Sequence, residues 1–298
     1  MMTGPKLRRP LFILLFALYA IYLAYLPLQD KPYSRRDPLQ AAGFWRASNP
    51  ADFFNKMARY GLANPSPKRP LELRLLHSIS FDFNLIRSVE RRKRAFCDML
   101  VPQVLLMNRT VLQQRQRYLE LCDKIPEESL SDTVAVARLL NRREWKLLQQ
   151  LQLQYGTTRH DWLLDRIQPI PPSLVLAQAA VESAWGTSRF AREGNNLFGI
   201  WTWEEEGLLP QSRRAGKQHR VARFPTILEG VERYFELLNT LPAYADFRRQ
   251  RNQKIDPRLL AASLQNYSAK GSAYSKLLKN VIRHNQLTRY DSLHLIGD

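Results

Sequence analysis

Cysteine is nearly absent from this chain, with 2 in 298 residues, Cys97 and Cys122. They form no C-x-x-C pair, and the 5 histidines (His77, His160, His219, His284 and His294) are scattered, with no H-E-x-x-H. No metal-ligand spacing results, so neither a metal nor a cofactor is expected. The two cysteines are compatible with one bridge in an oxidising compartment or with two separate buried thiols. Acids are scarce beside bases, 27 against 45, for a formal charge of +18. Such an excess suits nucleic acid. Here the basic residues are spread along helical segments with no DNA or RNA motif, so no nucleic-acid partner is expected. Beyond a membrane, the same surface faces anionic polymers and lipid headgroups, or solvent alone. Internal repeats are absent, and the sequence does not fix an oligomeric state.

Charge is missing altogether from Leu11–Leu28, a stretch about as long as a bilayer span, and Lys6, Arg8 and Arg9 precede it. Basic residues ahead of a span keep the N-terminus inside. Ile21-Tyr22-Leu23-Ala24-Tyr25 is a poor cleavage site, and no cysteine ends the span as a lipoprotein would require. Residues 1–29 therefore read as a single-pass inner-membrane anchor with the remainder in the periplasm, the alternative being a cleaved signal and a secreted protein. Residues 30–70 hold Pro32, Pro38, Pro50, Pro65, Pro67 and Pro70 and read as a stalk with a short helix near Asp52–Tyr60. Residues 71–168 read as a helical N-terminal region. One helix covers Ser88–Lys124, kinked by Pro102, and another begins at Ser131 as cap, with Val134 to Leu151 on its apolar side.

Residues 169–290 hold the most informative stretch, Leu174-Val-Leu-Ala-Gln-Ala-Ala-Val-Glu182-Ser-Ala-Trp-Gly186. Its apolar residues cover every face of a helix, which predicts burial on all sides. Pro171 and Pro172 start the helix, Ser173 is the expected cap, and Gly186 ends it. Glu182 is the one acid in the run. Burial disfavours the charged carboxylate, so the acid is expected to hold its proton above the ordinary carboxyl range. A carboxylic acid protonated near neutral pH is what glycoside cleavage needs, because the leaving oxygen must receive a proton. An acid facing water at the helix rim, or a structural ion pair, is the plain alternative.

The segment Ala177-Gln-Ala-Ala-Val-Glu182-Ser-Ala-Trp-Gly-Thr-Ser-Arg-Phe-Ala191, followed by Asn195-Asn-Leu-Phe-Gly-Ile-Trp201, resembles the glucosaminidase domains of bacterial cell-wall hydrolases, and the surrounding chain resembles their Bax-type members. The likeness extends more weakly over Ser88–Asn285, including His219-Arg-Val-Ala-Arg-Phe224 and Asn266-Tyr267-Ser268. It implies a mainly α, lysozyme-like catalytic domain with a small irregular or β lobe, preceded here by the transmembrane helix and the helical segment. It also implies peptidoglycan glycan strands as substrate and Glu182 as general acid of an endo-β-N-acetylglucosaminidase. A muramidase, a lytic transglycosylase or an inactive wall-binding protein shares the same motif.

Gln178, one turn before Glu182, is placed to hydrogen-bond it or to pack as a core amide. Asn195 and Asn196 suit a tight turn or contacts to sugar N-acetyl and hydroxyl groups. Trp201 and Trp203 are candidates for stacking on pyranose faces, and Tyr267 and Tyr274 for orienting substrate. Family members often carry a second acid in the lobe. Here Glu204, Glu205 and Glu206 are the candidates, while Arg220 stands where a relative has an acid. The family's Tyr-Ala-Thr-Asp-Pro-x-Tyr becomes Tyr267-Ser-Ala-Lys270-Gly-Ser-Ala-Tyr274, with lysine in place of the acid. A carboxyl pair about 5–5.5 Å apart implies retention and a wider one inversion, while attack by the substrate's own N-acetyl oxygen needs no second acid.

Overall fold

The fold is organised around two helices that are buried on nearly every side, in a computed structural model that describes residues 43–130, 132–203, 207–209, 220–253 and 256–298. The first, α2 (Val89–Cys122), is 34 residues long and starts behind the Ser88 side chain, which accepts from the Arg91 amide. Every residue from Ala95 to Leu106 is buried, so this helix is a central strut. Pro102 lies inside it without ending it. Before α2 come β1 (Gly43–Trp45), α1 (Pro50–Arg59) and β2 (Arg74–Leu76), with β1 and β2 paired in parallel.

This corrects the expected stalk. Trp45, Ala47, Phe53, Met57 and Leu62 are buried in the common core. The prolines of residues 43–70 mark element boundaries instead of keeping the chain extended. Pro50 occupies the first turn of α1, and Asn49 caps it by accepting from the Asp52 amide at 3.0 Å. Residues 1–42, including the expected membrane span and the first part of the expected stalk, lie outside the described residues. Among the described residues no helix is long and apolar enough to cross a membrane.

After α2 the chain forms α3 (Thr133–Leu139), α4 (Arg142–Tyr155) and α5 (His160–Arg166). The single helix expected from Ser131 onward is thus two. Asn141 and Glu144 make a reciprocal capping box that starts α4 afresh. The cap of α3 is Asp132, whose Oδ1 accepts from Val134 N and Ala135 N. Ser131 lies outside the described residues. Both cysteines are free thiols. They sit 25 positions apart on α2, which at 1.5 Å per residue separates them by roughly 37 Å, far beyond disulfide reach.

The second central helix is α6 (Pro172–Ser183), with Pro172 through Ala180 all buried and α2 packed against it. Ser173 is not its cap. Its backbone N–H and its hydroxyl both donate to the Asp291 carboxylate, at 2.7 and 2.8 Å, so an acid 118 residues away closes the helix N-terminus. Then follow α7 (Arg189–Gly194), β3 (Trp201–Thr202), β4 (Arg220–Val221), α8 (Ile227–Thr240), α9 (Ala245–Asn252), α10 (Pro257–Leu260), a 3₁₀ stretch Ala261–Tyr267, α11 (Ser272–His284) and a last 3₁₀ turn Leu287–Tyr290. β3 and β4 pair antiparallel, and Leu208 bridges to Val221, giving a small lobe beside the helices.

One apolar cluster runs from Trp45 to Leu295, so the boundary expected between residues 168 and 169 falls inside a shared core. Asp98 on α2 ties three parts of the chain together. It accepts from the Asn64 amide at 2.9 Å and the Tyr290 hydroxyl at 2.6 Å. Asp291→Ala should cost about 1–2 kcal/mol, as loss of a helix cap does, and Asp291→Asn, which keeps an acceptor, should cost less. Urea denaturation measures both. Equal stability of Asp291→Ala and the native protein would show that the cap contributes nothing.

Candidate active site

The C-terminal end of α6 is built to present Glu182 at an edge of the core. The helix stops at Ser183, not at Gly186 as expected, and Ala184, Trp185 and Gly186 all take positive φ (51°, 59° and 79°). A run of left-handed residues that includes tryptophan is strained and needs support. The support is Ser183, whose hydroxyl donates to the Ala179 carbonyl at 2.6 Å and accepts from the Gly186 amide at 2.9 Å. The Trp185 amide in turn donates to the Ala180 carbonyl at 2.8 Å. The chain leaves α6 sharply, and Glu182 stays half-buried at the bend.

Opposite the carboxyl lies Gly199, at φ +64°, where a Cβ would come within 3.1 Å of Glu182 Oε2. Both the backbone angle and the close approach demand glycine. The loop carrying Gly199 is locked by the two asparagines. Asn196 Nδ2 donates to the carbonyls of Ile200 and Ala222, at 2.8 and 2.9 Å, while its Oδ1 accepts from the amides of Phe198 and Ile200. Asn195, left-handed at φ 50°, caps α7 and donates Nδ2 to the carbonyls of Phe224 and Pro225. Both are buried, and their amide nitrogens are committed to backbone. Their nitrogens thus serve the turn role and hold the loop, while Asn195 Oδ1 is buried without a hydrogen-bond partner.

Around the inner side of Glu182 stands a shell of tyrosines. The Tyr274 hydroxyl on α11 and the Lys270 ammonium in the preceding loop both act on the carboxyl and favour its charged form. Tyr234 on α8, Tyr244 just after α8 and Tyr267 in the 3₁₀ stretch are each electrostatically coupled to the same group. The Tyr267 hydroxyl donates to the Phe198 carbonyl at 2.8 Å, and its ring stacks on Tyr274 with centroids 5.8 Å apart. Burial pushes the Glu182 pKa above the ordinary carboxyl value, while the Tyr274 hydroxyl and the Lys270 charge pull partly against it. Burial wins, so the pKa is raised.

Gln178 is fully buried as a core amide, one of its two expected roles, and its side-chain hydrogen bonds go to Tyr274 and Tyr234, not to Glu182. Trp201, in β3, is 49% exposed, and Trp203, directly after it, is 43% exposed. Two exposed indoles two positions apart on the small lobe are large apolar groups of the kind found on binding faces. Glu204, Glu205 and Glu206 lie outside the described residues. Tyr234 and Tyr244 had no place among the expected site residues. Tyr234 sits on the apolar face of α8 and reads as core, and nothing in the sequence marks Tyr244. Among the described residues no group of histidine, cysteine and acid side chains is arranged to hold a metal.

Residues 164–287 match the glucosaminidase family model, described as mannosyl-glycoprotein endo-beta-N-acetylglucosaminidase. Over 203 residues the chain is 30% identical to Protein bax of Escherichia coli (strain K12), an alignment covering 65% of this chain and 70% of that protein. The crystal structure of the catalytic domain of the autolysin Auto from Listeria monocytogenes is 24% identical, with a TM-score of 0.35 over 56% of this chain and 98% of that one. The chain belongs to the glucosaminidase-domain family and, within it, to the Bax type.

Because the folded pKa of Glu182 is raised above 4.5, ionising it in the native state costs stability. That cost is absent below the unfolded value and grows as pH rises through the folded one. Glu182→Gln should therefore melt close to the native protein at about pH 4 and above it at about pH 8. Thermal melts at both pH values test this. A gap that is the same at both would mean that the carboxyl is not held in its acid form.

Proposed function

We propose that this protein is a peptidoglycan hydrolase, an endo-β-N-acetylglucosaminidase that cleaves the β-1,4 bond of N-acetylglucosamine with Glu182 as general acid. The observation carrying this reading is a half-buried carboxyl whose pKa is raised by burial, beside a cluster of buried tyrosines in a glucosaminidase domain. Glycosidic oxygen is a poor leaving group until protonated, and an acid that keeps its proton near neutral pH supplies that proton in the transition state. The exposed indoles of Trp201 and Trp203 offer apolar faces to the pyranose rings.

A nucleophile, or a base that activates water, must then act at the anomeric carbon, and two sources fit. Glu204, Glu205 and Glu206 directly follow Trp203 in the chain. The N-acetyl oxygen of the substrate is the other, and it needs no protein carboxylate. Support for a periplasmic location comes from Lys6, Arg8 and Arg9 ahead of the uncharged Leu11–Leu28. On that reading, the inner membrane holds the N-terminus and the catalytic domain faces the wall.

Purified protein incubated with isolated peptidoglycan should release fragments with reducing N-acetylglucosamine ends, identified by mass spectrometry. Glu182→Gln should lower the rate by about 10²–10⁴-fold, the contribution of a positioned acid, while leaving wall binding intact. Reducing muramic acid or anhydro-sugar ends would contradict the assigned bond. A fully active Glu182→Gln would contradict the assigned acid, and a native protein that binds wall but never cuts it would leave a binding protein.

A further inference from the structure

Behind Glu182 runs a buried chain of hydrogen bonds that the proposed cleavage does not itself require. Tyr234 donates its hydroxyl to Oε1 of Gln178. Gln178 donates Nε2 to the Tyr274 hydroxyl oxygen at 3.2 Å. The next group beyond Tyr274 is the Glu182 carboxyl, on which the hydroxyl acts to favour the charged form. Gln178 and Tyr234 are 0% exposed and Tyr274 is 1% exposed, so water does not substitute for any link. The direction of the chain follows from valence, since an amide oxygen only accepts and an amide nitrogen only donates. With the amide so turned, the Tyr274 oxygen receives one proton from Gln178 and its own proton is left for the carboxylate.

We propose that Gln178 and Tyr234 are positioning residues that act through Tyr274, fixing its hydroxyl so that it donates to Glu182. The proposal rests on the reading of Glu182 as the general acid. Without the Tyr234 hydroxyl, the amide of Gln178 is free to turn over and present its oxygen to Tyr274. Tyr274 would then commit its proton to Gln178, and Glu182 would lose its donor. The rings themselves have little freedom to adjust. Tyr234 is stacked on Phe198 at 4.2 Å with a 19° interplanar angle, and Tyr274 on Tyr267 with an angle of 7°. The Tyr267 hydroxyl is in turn pinned to the Phe198 carbonyl. Both stacks thus converge on one loop, the loop that also carries Gly199.

The arrangement explains how a buried acid remains able to give up its proton. Burial alone would hold the acid protonated through the whole reaction. A hydroxyl aimed at the carboxylate stabilises the charge that appears when the proton leaves, and it does so with no rearrangement at that moment. Among the described residues, the titratable and charged groups coupled to Glu182 are Lys270, Tyr234, Tyr244, Tyr267 and Tyr274. In the variants below only the relay changes, and Lys270 stays in place as a constant charge.

The test uses the full chain with Tyr234→Phe, Gln178→Met and Tyr274→Phe. Two quantities are read, the pH dependence of wall digestion and the titration of the Glu182 carboxyl carbon by NMR, assigned from its loss in Glu182→Gln. Removing a hydrogen bond that favours the charged form raises a carboxyl pKa. Tyr274→Phe should move both the alkaline limb and the titration upward by about one pH unit, the size of one hydrogen bond to a charged group. Tyr234→Phe and Gln178→Met should move them in the same direction by less, with the folded near-ultraviolet dichroism kept. Tyr234→Phe keeps its ring and loses one oxygen, so it reports on the relay even where Gln178→Met folds poorly. A Tyr234→Phe protein that is slower at every pH with limb and titration unmoved would overturn the relay and leave Tyr234 a packing residue. A native protein that cuts no wall, with the titration still shifted in Tyr234→Phe, would sink the hydrolase reading and keep the relay.

Discussion

The structure depends on one costly placement, an ionisable carboxyl at the end of a helix that the core surrounds. α6 is apolar on all sides because α2, α11 and the last 3₁₀ turn pack against it. A helix so enclosed has no solvent face on which to put a charge, so any acid it carries must sit at an end, where the chain turns outward. Position 182 is that end. Three successive left-handed residues turn the backbone immediately afterwards, and Ser183 holds the bend with both of its hydrogen-bonding capacities. The strain of the bend and the desolvation of the carboxyl are offset by the core beneath them.

Around that acid the protein has placed hydroxyl groups instead of a second described charge pair. Tyrosine suits the position because its ring supplies apolar area and its hydroxyl a single directed proton. Four tyrosines from α8, the turn after it, the 3₁₀ stretch and α11 converge there, although they span positions 234 to 274 in the chain. Lys270 adds a positive charge at the rim, where the family pattern has an acid. Its exposure means water screens it strongly, so the burial of Glu182 dominates over the lysine's pull.

What the sequence makes legible follows from how local each cause is. The run 174–181, apolar but for Gln178, announces a fully enclosed helix, and the acid at its end follows from reading that run alone. The same logic found α2 from its helical period. It missed causes that act over distance. Asp291 closes α6 from 118 residues away, and no pattern near Ser173 points to it. The prolines between residues 43 and 70 suggested an extended stalk, yet Trp45, Phe53 and Met57 carry enough apolar surface to pull that segment into the core. Asn195 and Asn196 read equally well as turn formers or sugar contacts, and the carbonyls their nitrogens reach lie too far along the chain to be read from the sequence. Tyr234 belongs to an apolar helix face, so its hydroxyl, which makes the site connection, was invisible beside its ring.

The central claim is that Glu182 of the native protein is an uncharged acid at a pH where free glutamate is ionised. Infrared difference spectroscopy between the native protein and Glu182→Gln reads this directly, through the carbonyl stretch of a protonated carboxyl. The account predicts that this band persists above the ordinary carboxyl value of 4.5 and disappears only at higher pH. A band already lost at or below that value would mean an ionised, water-accessible carboxylate at the end of α6, and the account would fail at its foundation.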